Sequence, residues 1–225
     1  MALSKIDIAN MLTGVAPVAN GGTGVSSGTT GQFLKFTGTT TLASGAAGSW
    51  VLLDTQTVSG TPTTIEPGAI FSATYDTYVV VIARYNNVSG GGLQFQLGTS
   101  SGYTTSGYRW NGSGVGGTGN SLLTGSSSDS IIDLLGGTSS TYHCNSSQDC
   151  LGGVIWIHNP FNSARTHVHA ELSWENATGT ESHINNVGAH PNTDTSYDRW
   201  KLICPSTSQT FEATTIIETY GVVNG

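Results

Sequence analysis

YDTYVVVIARYNNV, residues 75–88, decides the fold class. Four β-branched residues stand in a row between two tyrosines. Such side chains lose rotamer freedom in a helix and pack well on a pleated surface, so the run reads as a buried strand. Asn86, Asn87 and the glycines at 90–92 end it with turn chemistry.

Strand signals continue on both sides. Upstream, WVLLDTQTV (50–58) alternates in part, and TPTTIEPGAIF (61–71) is punctuated by Pro62, Pro67 and Gly68. Downstream, LQFQLG (93–98) puts Leu93, Phe95 and Leu97 on one face. GYRW (107–110) reads as a short edge or hairpin strand and the glycine-rich residues 111–120 as a loop. SDSIIDLLGG (128–137) is a short apolar segment closed by glycines. LGGVIWIHNP (151–160) is a strand stopped at Asn159-Pro160. ARTHVHAELSWEN (164–176) alternates Thr166, Val168, Ala170 and Leu172 against His167, His169, Glu171 and Ser173. YDRWKLICP (197–205) and TFEATTIIETYGVVN (210–224) complete the series. No amphipathic helix pattern follows residue 50. Short strands with short turns predict an all-β sandwich over residues 49–225, and about eight strands suggest a jelly roll.

Composition narrows the function. Charged residues are 9% of the chain against roughly 25% in a typical soluble domain. Glycine, at 31 of 225 residues, is well above ordinary usage. Seven basic and 14 acidic residues give a net charge of -7, which argues against nucleic acid as a partner. No apolar run of about 18 residues suggests a membrane-spanning helix. The first residues, MALSKIDIANMLTG, have no continuous apolar core and do not read as a secretory signal.

Residues 1–48 differ from the rest. Ile6, Ile8, Met11 and Leu12 have the spacing of a short helix, which would not stand alone. From Thr13 to Gly48 the chain is rich in Gly, Thr, Ser and Ala, with one apolar cluster at Phe33, Leu34 and Phe36. One copy buries too little here to offset the entropy of ordering. The segment is therefore expected to be a flexible linker or to be ordered by other chains.

Within it, VAPVANGGTG (15–24) resembles the PVANGGTG signature of bacteriophage tail-fibre and tail-spike proteins. Residues 50–225 are similar, in order of elements, to a C-terminal domain common in phage and prophage tail proteins. The similar elements are WVLL, ATYDTYVVVI, a glycine-rich centre, GVIWIHNP and a closing FEATTIIETYGV. The pattern departs from that family at YHCNSSQDC (142–150).

The resemblance implies a virion protein made in the host cytoplasm and carried on the tail: a short tail fibre acting as a homotrimer. Residues 1–48, with Ile6, Ile8, Met11 and Leu12, would attach to tail or baseplate proteins as an extended segment. The jelly-roll-like tip would contact a host surface glycan or outer-membrane protein. A capsid head fibre or decoration protein without a receptor role would use the same two parts.

Candidate chemistry is sparse. His167 and His169 lie two apart, so on a strand both imidazoles face one way. Around a threefold axis three such pairs would offer six nitrogens to a transition metal, as in the HxH motif of some long phage tail fibres. The preferred reading is a solvent-facing polar strand, because Arg165 and Glu171 continue the same polar face. Cys144 and Cys150 could close a small disulfide loop after release from the cell, whereas Cys204 makes the count odd and favours free thiols. His143 with those two cysteines lacks the spacing of a zinc knuckle. His158, His183 and His190 read as surface or hydrogen-bonded residues.

Tyr103, Tyr108 and Trp110 sit beside glycine-rich loops and are the candidate receptor-binding aromatics, with loops 98–120 and 136–150 as candidate contact regions. Trp50, Trp156, Trp174 and Trp200 fall within strand patterns and read as core or subunit interface. A depolymerase would need paired carboxylates across a cleft. The few acidic residues, among them the pairs Asp129/Asp133 and Glu171/Glu175, are scattered, and no G-x-S-x-G, H-E-x-x-H or P-loop occurs. The chain therefore reads as non-enzymatic and free of cofactors.

Overall fold

The computed structural model describes residues 33–36, 42–45, 49–86, 92–116, 121–135, 151–175, 181–205 and 208–223. The chain divides into two compact units, Met1–Val51 and Leu52–Gly225. In the first, β1 (Phe33–Phe36) pairs antiparallel with β2 (Leu42–Gly45). Leu34 and Phe36, both exposed, come from the single apolar cluster of that stretch. Ile6, Ile8, Met11, Leu12, the VAPVANGGTG run, Cys144 and Cys150 lie outside the described residues.

The second unit is all-β, and no helix occurs among the described residues. Its strands are β3 (Trp50–Thr57, starting at the unit boundary), β4 (Thr64–Ile65), β5 (Thr77–Tyr85), β6 (Gln94–Thr99), β7 (Gly102–Tyr103) and β8 (Tyr108–Val115). After these come β9 (Ser121–Asp129), β10 (Ile132–Asp133), β11 (Leu151–His158), β12 (His167–Glu175), β13 (Ser182–Pro191), β14 (Arg199–Ile203) and β15 (Ile216–Val222). A large sheet runs β3-β15-β5-β11-β12-β13-β8-β9, and a smaller one runs β10-β6-β14-β4 with β7 added to β6.

Both sheets contribute to one core. From the large sheet come Tyr78, Val80, Ile82, Ile155, Ile157, Val168, Ala170, Leu172, Val187 and Ile217, and from the small one Phe95, Leu97, Trp200 and Leu202. Period-2 alternation produces this directly. On β12 the buried residues are Val168, Ala170, Leu172 and Trp174, and the histidines point away from them. Phe95 and Trp200, on neighbouring strands of the small sheet, stack with ring centroids 6.4 Å apart.

Polar side chains also tie the two layers together. The buried Tyr108 hydroxyl on β8 accepts from the Leu97 amide at 2.8 Å and donates to the Leu97 carbonyl at 3.3 Å. Trp200 Nε1 donates to Thr219 Oγ1 at 3.2 Å. Asn185 Nδ2 on β13 donates to the Leu134 carbonyl at 2.9 Å. Each bond satisfies a group that would be costly to bury alone.

The strand count and division differ from the expected eight strands. β13 occupies HINNVGAHP, whose inward positions include His183 and Asn185, so its apolar periodicity is broken. β8 runs on into residues 111–115, read as part of a loop, because glycines at 112 and 114 lower strand propensity while the ladder to β13 still completes, and β9 follows it in a stretch given no strand by the sequence. β11 ends where its sequence predicts. Asn159 has φ 54°, a left-handed conformation that asparagine tolerates, and its amide donates to the Asp76 carbonyl at 2.6 Å.

Candidate binding face

Because the inward positions of the large sheet fill the core, its alternate positions form a broad outer face. One row across it runs Tyr220, Val79, Trp156, His169, Gly188, Asn111 and Gly125, each opposite the next. Val79 is fully buried although it points outward, because it lies between Trp156 and Tyr220. The adjoining row runs Thr77, His158, His167, His190 and Arg109. His158 is opposite Thr77 and His167, and Arg109 is opposite His190. The His167 and His190 rings are 5.8 Å apart between centroids.

Four of the chain's six histidines therefore share one patch. Thr77 Oγ1 and His158 Nδ1 are 3.2 Å apart. Burial, followed by the neighbouring His167 and His169, pushes the His158 pKa below its ordinary value. His190 Nδ1 lies 2.9 Å from the Pro191 carbonyl, so the proton on that nitrogen is fixed and Nε2 remains for another partner. His169 Nε2 is 3.9 Å from Glu171 Oε1, both on exposed side chains.

Beside this patch lies a shallow depression of about 670 Å3, whose lining includes Arg109, Asn111, Ser126, Gly188 and His190. Its form follows from glycine. A Cβ on Gly188 would meet nothing within 4 Å, whereas its row neighbours His169 and Asn111 carry full side chains. A Cβ on Gly125 would strike Asn111 Oδ1, which places the Asn111 amide over β9. A smaller depression of about 340 Å3 lies along β11–β13 by Gly152, Ser173 and the exposed Ile184, with Glu171 at its wall.

The sequence-based candidates fall differently. Tyr108 and Trp110 are on β8, a strand as the GYRW stretch predicts, and both are buried. Trp110 Nε1 donates to Asp129 Oδ2 at 3.3 Å, and burial pushes the Tyr108 hydroxyl pKa well up. The Tyr108 ring is enclosed in the core, whereas Trp110, although largely buried, is among the residues lining the larger depression. Tyr103 is half-buried on β7. Its hydroxyl donates to the Trp200 carbonyl at 3.4 Å and Lys201 Nζ sits 4.1 Å from its ring centre. Burial first and Glu66 second push its pKa up to about 12.

His167 and His169 do point the same way, onto the outer face. Among the described residues no group of three or more His, Cys, Asp or Glu side chains is arranged to hold a metal ion. Cys204 is buried, its Sγ 4.0 Å from the Tyr85 hydroxyl.

Arg109, Asn111, Gly188 and His190 escape sequence reasoning. The pairing of β13 with β8 brings them together, and no local pattern in either segment signals that register. Comparison with protein-family models, curated proteins and solved structures gave no match, so the site rests on its own geometry.

Proposed function

We propose that this chain is a non-enzymatic bacteriophage virion protein, a short tail fibre whose β-sandwich tip attaches to the host surface as a homotrimer. The observation that carries the attachment role is the outer face of the large sheet. It is wide, poor in charge, and holds a glycine-floored depression edged by hydrogen-bonding side chains. That form suits an extended, hydroxyl-rich ligand such as a surface glycan, and shallow single contacts gain strength when several copies act together.

The virion assignment rests on VAPVANGGTG and on the sparse residues 1–48 around it, which on this reading connect the tip to tail or baseplate proteins. The small charged fraction and the large glycine fraction fit a protein solvated by hydroxyls and backbone.

Labelling tests this reading. An antibody against the sandwich, detected by gold particles on intact virions, is expected to mark the tail. Gold on the capsid would replace the fibre with a head fibre or decoration protein, and absence from the particle would overturn the proposal.

A further inference from the structure

We propose that the Gly188 depression is a subsite for a saccharide bearing a carboxylate, with Arg109 as the carboxylate's partner. The inference deepens the attachment reading given above and rests on it for the class of ligand.

Charge placement is the first support. The chain has only seven basic residues and a net charge of -7. Arg165, Arg199 and Lys201 each lie against a carboxylate, at 3.3, 2.6 and 3.9 Å. Arg109 instead projects from an exposed position beside His190. The nearest acid on the adjoining strand, Asp129, is engaged elsewhere, by Trp110 Nε1 at 3.3 Å and by the Ser130 amide at 2.7 Å. Among the described residues, then, no carboxylate neutralises Arg109 within ion-pair distance.

Shape and donor type are the second support. The guanidinium forms a planar fork that matches a carboxylate bidentately. His190, with Nδ1 committed to Pro191, offers Nε2 at the same edge. Directly opposed residues on one sheet face stand about 5 Å apart at Cβ. Two ligand atoms a sugar ring apart can therefore engage Arg109 and His190 together. The Asn111 amide supplies a neutral group suited to ring hydroxyls, and the bare Gly188 backbone leaves room for the ring. One fixed positive charge among neutral donors fits a single negative charge. A phosphate monoester carries more charge than the site answers. The depression by Gly152 has Glu171 at its wall and is unsuited to an anion.

The test uses the full chain and a matched pair of probes: a uronate-containing oligosaccharide, and the same oligosaccharide with its carboxylates reduced to alcohols. Binding is measured by calorimetry at low salt. The wild type is expected to bind the uronate and to lose about tenfold or more in affinity for the reduced probe. Arg109→Gln should lose a similar factor, whereas Arg165→Gln should not. Gly188→Val guards against misfolding as the explanation. A side chain there enters open space on a strand, so its melting temperature should match or exceed the wild type while uronate binding is lost.

Equal binding of the two probes, undiminished binding by Arg109→Gln or Gly188→Val, or preference for a phosphorylated glycan would each overturn the subsite. A receptor role fails separately. If wild-type protein blocks phage adsorption and Arg109→Gln blocks it equally, attachment stands and the subsite falls. If the wild type binds uronate without blocking adsorption, the subsite stands and the attachment reading falls.

Discussion

Trp200 on β14 donates its indole N–H to Thr219 Oγ1 on β15, 3.2 Å away, and both residues are fully buried. One side-chain bond thus links the small sheet to the large one through the middle of the core. Thr219→Val keeps the volume but orphans a buried donor, which costs about 1–3 kcal/mol. Trp200→Phe in the Thr219→Val background should show a clear coupling energy in a double-mutant cycle by denaturant unfolding. Additive effects would mean the bond contributes nothing.

Tyr108 belongs to the scaffold. Tyr108→Phe removes the hydroxyl that both accepts from and donates to the Leu97 backbone. The expected result is a loss of about 1–2 kcal/mol in unfolding free energy, with binding to cells or glycans unchanged. A binding defect in a folded Tyr108→Phe protein would restore it to the receptor site.

Stability should fall on mild acidification. His183 is buried on β13, with its ring stacked on Trp174 at 5.4 Å between centroids. Burial lowers its pKa, and the Glu181 carboxylate 3.6 Å from Nε2 works against that effect. The folded pKa lies below the unfolded value of about 6.5, so the unfolded chain takes up the proton first. Stability is therefore full above that value and declines as pH falls below it. His158 is shifted the same way and adds the same sign. Melting temperature against pH should slope downward below about pH 6.5, and His183→Phe should flatten the slope.

Assembly gives a fourth expectation. Light scattering on the purified full chain should return three times the 23.3 kDa chain mass, and deletion of residues 1–48 should weaken that association. A monomer at micromolar concentration would remove the homotrimer.

The sequence carried the fold where a β-branched run or an apolar alternation was unbroken. β5 was legible from its unbroken β-branched run, Val79 to Ile82, and β12 because Val168, Ala170 and Leu172 recur with period two. β13 was not, because His183 and Asn185 occupy buried positions where tertiary contacts, including the Asn185–Leu134 bond, replace hydrophobicity. The candidate site inherited that blindness. Arg109 and His190 are 81 positions apart and become neighbours only through β8–β13 pairing, a register that no local pattern reveals. The histidine pair at 167 and 169 was visible, whereas its company of His158 and His190 was not.

Adsorption competition tests the central claim most directly. Purified chain, added to host cells before a phage proposed to carry it, should lower the adsorption rate in a dose-dependent way, while heat-denatured chain should not. Folded protein that leaves adsorption unchanged at saturating concentration would contradict a role in host attachment.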